Sequence, residues 1–244
     1  MMPLNLFRLL MAVALISGVS TFTYVYWVRV LVDSEILDKD TLSEAIKTNS
    51  LVICGALCSS KQSCNIWCHK GDENCILSSI VASPKYVDKS SVPITCYTKK
   101  RKDIVVGSKT YSAELGSPYS KSELATDGIY LYGYGYIFRT KVTENPWILI
   151  DFRKSATIYE IIIKTNYFPF MCSRVRIVIG DMLITTGNFS SYEKLNSITN
   201  PCDNDNEIMY FKPQLSMQGQ YVAVYRPNRA SFSMLYIEID GEFN

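Results

Sequence analysis

The chain of 244 residues contains a single histidine, His69. A Ser-His-Asp centre or a multi-histidine metal site would have to be built on that one imidazole. Charge of one sign is also lacking: 25 Lys and Arg stand against 23 Asp and Glu, a formal net charge of +2. Nothing global therefore draws the chain to nucleic acid. Internal repeats and low-complexity tracts are missing, and 48% apolar with 20% charged residues excludes a disordered chain. Cysteine (8) and tyrosine (17) are what the sequence does have. That balance points away from most hydrolases and towards a secreted binding protein.

Arg8 precedes an apolar run from Leu9 to Val19, and Gly18 and Ser20 supply small residues before a cut after Ser20. Residues 1–20 thus read as a signal peptide. The alternative is a single-pass membrane anchor over residues 9–32, long enough to span a bilayer but interrupted by Arg29. Thr21 to Val32, with Tyr24, Tyr26, Trp27, Val28 and Val30, reads better as a strand. Either way the rest of the chain meets an oxidising, extracellular space.

The cysteines fit that space. Cys54, Cys58, Cys64, Cys68, Cys75 and Cys96 crowd one stretch, and Cys172 and Cys202 lie far downstream. Even numbers in each part suit two separately bridged modules, with Cys172–Cys202 closing the second. Asn188-Phe189-Ser190 is a glycosylation sequon in a polar context.

The joint between the modules is Lys99-Lys100-Arg101-Lys102-Asp103. The expected organisation is residues 21–98, a basic linker over 99–103, and a second module over 104–244. The basic run reads as a solvated linker, a processing site, or an attractor of acidic glycans and lipid headgroups.

In the first module, Thr41 and Glu44 are spaced as a capping box, which predicts a helix start at Asp40–Glu44. A second helix is expected from Ser50 to Ser59, with Cys54 and Cys58 four apart on one face. This cysteine helix, followed by Cys64 and Cys75, resembles the PAN/apple family, a small disulfide-rich α+β module. The resemblance implies Cys58–Cys64 and Cys54–Cys75, leaving Cys68 with Cys96. Sequence alone permits 15 pairings of six cysteines. Cys64, Cys68, His69 and Cys75 also have the residue types of a zinc site, but their spacing fits no common zinc pattern and the compartment favours disulfides.

The second module is patterned as β-structure throughout. Candidate strands are Ile104–Ala113, the alternating run Tyr130, Tyr132, Tyr134 and Tyr136, Trp147–Phe152, Thr157–Lys164, Arg174–Ile179, Glu207–Lys212, Gln220–Arg226 and Ser233–Ile239. Short strands separated by Gly, Pro, Asn and Ser predict a mainly β chain ending in a β-sandwich, with little helix.

Within it, Ala125-Thr-Asp127-Gly128, then Trp147-Ile-Leu-Ile-Asp151, then Ile161-Ile-Ile163, Arg174–Gly180 and Met234–Gly241 come in order. This series resembles the discoidin, or galactose-binding-like, jelly roll. That group includes the coagulation factor 5/8 C-type domains and the fucose-binding lectins. The resemblance covers about residues 104–243 and implies ligand binding by loops at one end of the sandwich. Alignment to the fucose-gripping residues gives Lys164 and Asn166 for the Arg-x-Asp pair, with Met171 and Ile137 at the other basic positions. Lys164 and Asn166 still hydrogen-bond; Met171 and Ile137 do not. The family's fucose grip is therefore expected to be missing. For the family's calcium ion, Asp127 is retained, and Tyr236 stands where a carboxylate is expected. Asp127 is a candidate calcium ligand, or a turn residue bonded to its own backbone.

Other candidate contacts follow from residue type. Tyr130, Tyr132, Tyr134 and Tyr136 share a strand face, either as a stacking platform for sugar rings or as a half-buried structural face. Arg139 and Lys141 follow them and suit acidic sugars or phosphate. Tyr167-Phe168-Pro169-Phe170-Met171 is an apolar segment between strands. Phe168 and Phe170 suit membrane insertion or a partner, or they plug one end of the sandwich. The expected function is non-enzymatic recognition of glycans or glycoproteins, with phospholipid adhesion or a structural matrix role as alternatives.

Overall fold

In the computed structural model, the described residues are 26–38, 43–61, 63–70, 74–86, 93–99, 102–130, 137–165, 175–195 and 208–244. The expectations for the leader, for the pair Cys172–Cys202, and for Tyr132, Tyr134, Tyr136, Asn166, Phe168, Phe170 and Met171 lie outside them. The chain is mainly β and divides into two compact units, Met1–Arg101 and Lys102–Asn244. No helix among the described residues is long and apolar enough to cross a membrane.

The first unit is a small disulfide-rich α+β fold. Strands β1 (Trp27–Asp33), β2 (Glu44–Lys47), β3 (Ile66–Lys70), β4 (Asn74–Ser78) and β5 (Pro93–Lys99) form an antiparallel sheet in the order β1-β5-β3-β4-β2. A short helix α1 covers Ser34–Asp38, and α2 covers Leu51–Ser60. Ser50 caps α2, its hydroxyl accepting from Ile53 N at 3.3 Å. The buried residues of α2 are Cys54, Gly55 and Cys58. Cys54 bonds Cys75 of β4, Cys58 bonds Cys64, and Cys68 of β3 bonds its cross-strand neighbour Cys96 of β5. Trp67 is buried beside this cluster, stacked on Tyr97 at 4.2 Å between centroids.

One expectation for this unit is corrected. The capping-box spacing of Thr41 and Glu44 does not open a helix at Glu44. Glu44–Lys47 pairs instead with Asn74–Leu77 as the edge strand β2. Four residues of local preference are outweighed by a ladder of backbone hydrogen bonds to β4.

The second unit is a β-sandwich whose only described helix is the 3-10 turn Ser122–Ala125. The strands of its seven-stranded sheet are β6 (Lys109–Ser112), β7 (Trp147–Lys164), β8 (Arg176–Gly180), β9 (Glu193–Lys194), β10 (Ile208–Phe211), β11 (Met217–Tyr225) and β12 (Tyr236–Phe243). They run in the order β9-β8-β11-β7-β10, with β6 and β12 also paired to β7.

Strand β7 is the spine. The two expected strands Trp147–Phe152 and Thr157–Lys164 are one strand of 18 residues. Arg153, Lys154 and Ser155, which look like a turn, form a bulge in which Arg153 adopts φ 64°. A bulge bends a strand without ending it. The first half of β7 pairs with β6, the second half with β10 and β12, and β11 pairs on both sides of the bulge. One continuous strand thereby serves both layers of the sandwich. A second register shift, between Ile158 and Glu160, changes which residues face inward. Ile148, Ile150 and Ile158 are fully buried before it, and Ile161 and Ile163 after it. Val222, Val224, Ile237, Ile239, Phe138 and Phe232 complete the same core.

The alternate residues of β7 face a second cluster. Trp147 and Leu149 pack with Val178, Tyr221 and Ala223, under Phe189 and Tyr192 from the segment after β8. The expected strand Ile104–Ala113 is shorter than its pattern, because Gly107 (φ 81°) makes a turn between buried Val105 and β6.

Candidate functional site

Three of the described candidate residues, Lys164, Arg139 and Lys141, stand on one hydrogen-bonded strip of the sandwich. Lys164 closes β7, and its carbonyl accepts from Leu235 N at 2.8 Å. The neighbouring Ser233–Met234 pairs with Phe138–Arg139. Phe232 and Thr140 then bond reciprocally, through Thr140 N to the Phe232 carbonyl and Phe232 N to Thr140 Oγ1, both at 2.9 Å. Lys164, Arg139 and Lys141 are thus fixed by backbone pairing. Arg139 and Lys141 are exposed, and Lys164 is half-buried.

Of the two roles expected for Tyr130, its ring is placed inward and not on an outward-facing platform. It is buried at 6% exposure, and the Lys164 ammonium covers its ring at 3.9 Å from the centroid. A desolvated cation over an aromatic face is an attractive pair, so this ring face is in use inside the protein. Ile137, at one of the aligned basic positions, is half-buried and carries no polar side chain.

Asp127 serves the turn that contains it. Its Oδ1 accepts from Ile129 N at 3.0 Å, and Gly128 follows with φ 86°. Among the described residues, no three His, Cys, Asp or Glu side chains gather as a cation would require. Asp127 is thus engaged by its own turn, with no cluster of carboxylates beside it among the described residues. The Tyr236 hydroxyl, at the expected carboxylate position, lies 3.3 Å from Asp103 Oδ2 and 3.2 Å from Glu238 Oε2, all three residues buried. Asp103 Oδ1 also accepts from Val105 N at 3.0 Å and Ile239 N at 3.3 Å. This arrangement joins the start of the unit to β12, and no pattern in the sequence announces Asp103 or Glu238 as partners.

Lys141 forms an ion pair with Glu114. Residues 114–120 run alongside Phe138–Lys141. The one sequence signal they carry is the glycine and proline of Gly116-Ser-Pro118. His69 takes no part here: it lies in the first unit, where its Nε2 donates to the Thr48 carbonyl at 3.2 Å.

No protein-family model and no curated protein sequence matches the chain. Among solved structures, the chain is similar to a fucolectin (F-lectin) from striped bass (Morone saxatilis) serum. The identity is 17% and the TM-score 0.46, over 71% of this chain and 58% of that one, so the match spans less than two thirds of the fucolectin. It is also similar to a fucose-binding module of Streptococcus pneumoniae, at 18% identity and a TM-score of 0.44 over 56% of this chain and 96% of that module. A third likeness is to chitosan-binding module 1 of a Paenibacillus chitosanase/glucanase, at 13% identity and a TM-score of 0.43, over 56% of this chain and 97% of that one.

Proposed function

We propose that the chain is a secreted, non-enzymatic recognition protein that binds glycans or glycoproteins through its C-terminal β-sandwich. The observation that carries this reading is the strip that holds Lys164, Arg139 and Lys141 on paired backbone. Cationic donors carried on paired backbone suit a ligand rich in oxygen acceptors, since the backbone beneath them needs no reordering on binding. The one imidazole of the chain, His69, is hydrogen-bonded to the Thr48 carbonyl. The first unit is read as a PAN/apple-like module, supported by its helix tied to a sheet by Cys54–Cys75. The expected division into a leader, a cysteine-rich module, a basic linker and a sandwich belongs to the same proposal.

The test is a glycan array probed with the full chain, with and without calcium, beside retention on vesicles containing phosphatidylserine. Saccharide binding weakened by Arg139→Ala supports the reading. Binding to the vesicles alone, or to neither surface, overturns it.

A further inference from the structure

We propose that the outer edge of β1 pairs with β1 of a second copy of this chain, giving a two-fold dimer held through the first unit. The inference is independent of what the sandwich binds.

The sheet of the first unit has two edge strands, and they are built differently. At one edge stands β2, four residues, Glu44-Ala-Ile-Lys47, charged at both ends and with Glu44 in an ion pair to Lys61. Shortness and charge keep an edge strand from recruiting another chain. At the other edge stands β1, Trp27-Val-Arg-Val-Leu-Val-Asp33, seven residues with no proline and no glycine. On its inner side it pairs with β5 in one unbroken register, from Trp27 opposite Lys99 to Asp33 opposite Pro93. Among the described residues, no strand pairs with its outer side. A regular strand without a bulge presents there a straight row of backbone donors and acceptors, the template that strand addition uses.

The side chains say which partner fits. Val30 and Val32 are buried on one face of β1. Arg29, Leu31 and Asp33 alternate with them on the other face, where Arg29 is exposed, Leu31 is 42% exposed and Asp33 is half-buried. A cation, an apolar residue and an anion at every second position are complementary to the same strand reversed. With Leu31 on the two-fold axis, Leu31 meets Leu31 of the second copy and each Arg29 stands opposite an Asp33. Val30 then stands opposite Val32, so the buried face continues across the junction. An odd slip sets exposed positions against buried ones. Centring on Arg29 sets two cations against each other, and centring on Val30 sets each Arg29 against Leu31. Only the register centred on Leu31 keeps the faces aligned and places both charges directly opposite their counterparts.

Both charged groups keep capacity for this contact. Arg29 Nη2 donates to Thr95 Oγ1 at 3.3 Å, and Asp33 Oδ1 accepts from Glu35 N at 2.9 Å. A guanidinium has five donors and a carboxylate has a second oxygen, so neither is exhausted. A dimer formed here carries two sandwich units on one particle, the arrangement from which multivalent binding draws its avidity.

The experiment is analytical ultracentrifugation of the full chain, expressed in a eukaryotic secretory host, at concentrations up to about 100 µM. The variants are Leu31→Lys, Arg29→Asp and Asp33→Arg, each checked for an unchanged thermal transition. Leu31 and Arg29 are exposed, so their variants keep the fold. Asp33→Arg gives up the bond to Glu35 N, and Leu31→Lys carries the test should that variant not fold. The wild type is expected at twice the monomer mass. Leu31→Lys and Arg29→Asp are each expected to weaken association about tenfold or more, by setting like charges opposite each other. An equal mixture of Arg29→Asp with Asp33→Arg is expected to dimerise again, because each copy presents the charge that the other now lacks. A wild type that stays monomeric overturns the proposal. A dimer that Leu31→Lys leaves intact overturns it too, since another surface then holds the copies together. Folded single-charge variants whose mixture associates no better than either alone overturn the register.

Discussion

The Lys164 ammonium sits over the buried ring of Tyr130, 3.9 Å from its centroid. Lys164 ends the strand that serves both layers of the sandwich, and Tyr130 follows the Asp127-Gly128 turn. The contact ties two segments that are distant in sequence. Lys164→Met keeps most of the methylene packing and removes the cation. The expected loss is about 1 kcal/mol of unfolding free energy, the size of a partly desolvated cation–π pair. Urea denaturation of both proteins measures it, and equal midpoints with equal slopes would show that the pair contributes nothing.

Gly187 adopts φ 81°, and a Cβ there would lie 2.5 Å from Trp147 Nε1. Both the backbone conformation and the packing thus exclude a side chain. Trp147 starts the spine strand and packs against Phe189 at 5.6 Å between centroids. Gly187→Ala is expected to cost about 1–3 kcal/mol and to lower the thermal midpoint. Calorimetry checks this, and a midpoint at or above that of the wild type would contradict it.

Much of the fold is legible because it depends on local pattern. The four-residue spacing of Cys54 and Cys58 turns both thiols to one side of α2, and both are fully buried there. Alternation along Trp147-Ile-Leu-Ile separates the two clusters on either side of β7. What escapes reading is decided through space. Arg153-Lys-Ser155 has turn composition, yet pairing on both sides of the bulge carries the strand through it. Glu44–Lys47 carries a helix signal and is recruited by β4. On the sandwich, Glu114 and Lys141 meet across 27 positions of sequence, and no spacing rule encodes that meeting. Tyr130 satisfies the alternating tyrosine pattern, but burial under Lys164 gives it a different role from an exposed platform.

Asn188 is exposed while the next residue, Phe189, is buried in the outer cluster. The Asn188 side-chain oxygen Oδ1 accepts from Ser190 N at 3.3 Å, which holds the sequon in a compact turn. The amide therefore stands outward while its neighbour anchors the segment. Expression of the full chain in a eukaryotic secretory host is expected to give one glycan at this position. Intact mass should fall on treatment with an N-glycosidase, and both Asn188→Gln and Ser190→Ala should abolish that change. A treated mass equal to the untreated one would refute modification at Asn188.

Tyr192 links this segment to the sheet, its hydroxyl donating to the Met182 carbonyl and its ring lying over Gly180. Burial, then the neighbouring Tyr221, Asp151 and Asp181, pushes its phenol from 10.0 up to about 12. Tyr221 is raised as well, by burial first and by Asp151 second. A folded-state value above the unfolded one means that the folded protein holds the proton more tightly. The associated stability is fully present below about pH 10 and is lost as pH rises through about 12. Tyr192→Phe removes this titration, together with a hydrogen bond worth about 1 kcal/mol while the phenol keeps its proton. Denaturation midpoints followed through that alkaline window should fall more steeply for the wild type, so that the two proteins converge. Curves that stay parallel across the window would show that Tyr192 ionises no later in the folded chain than in the unfolded one.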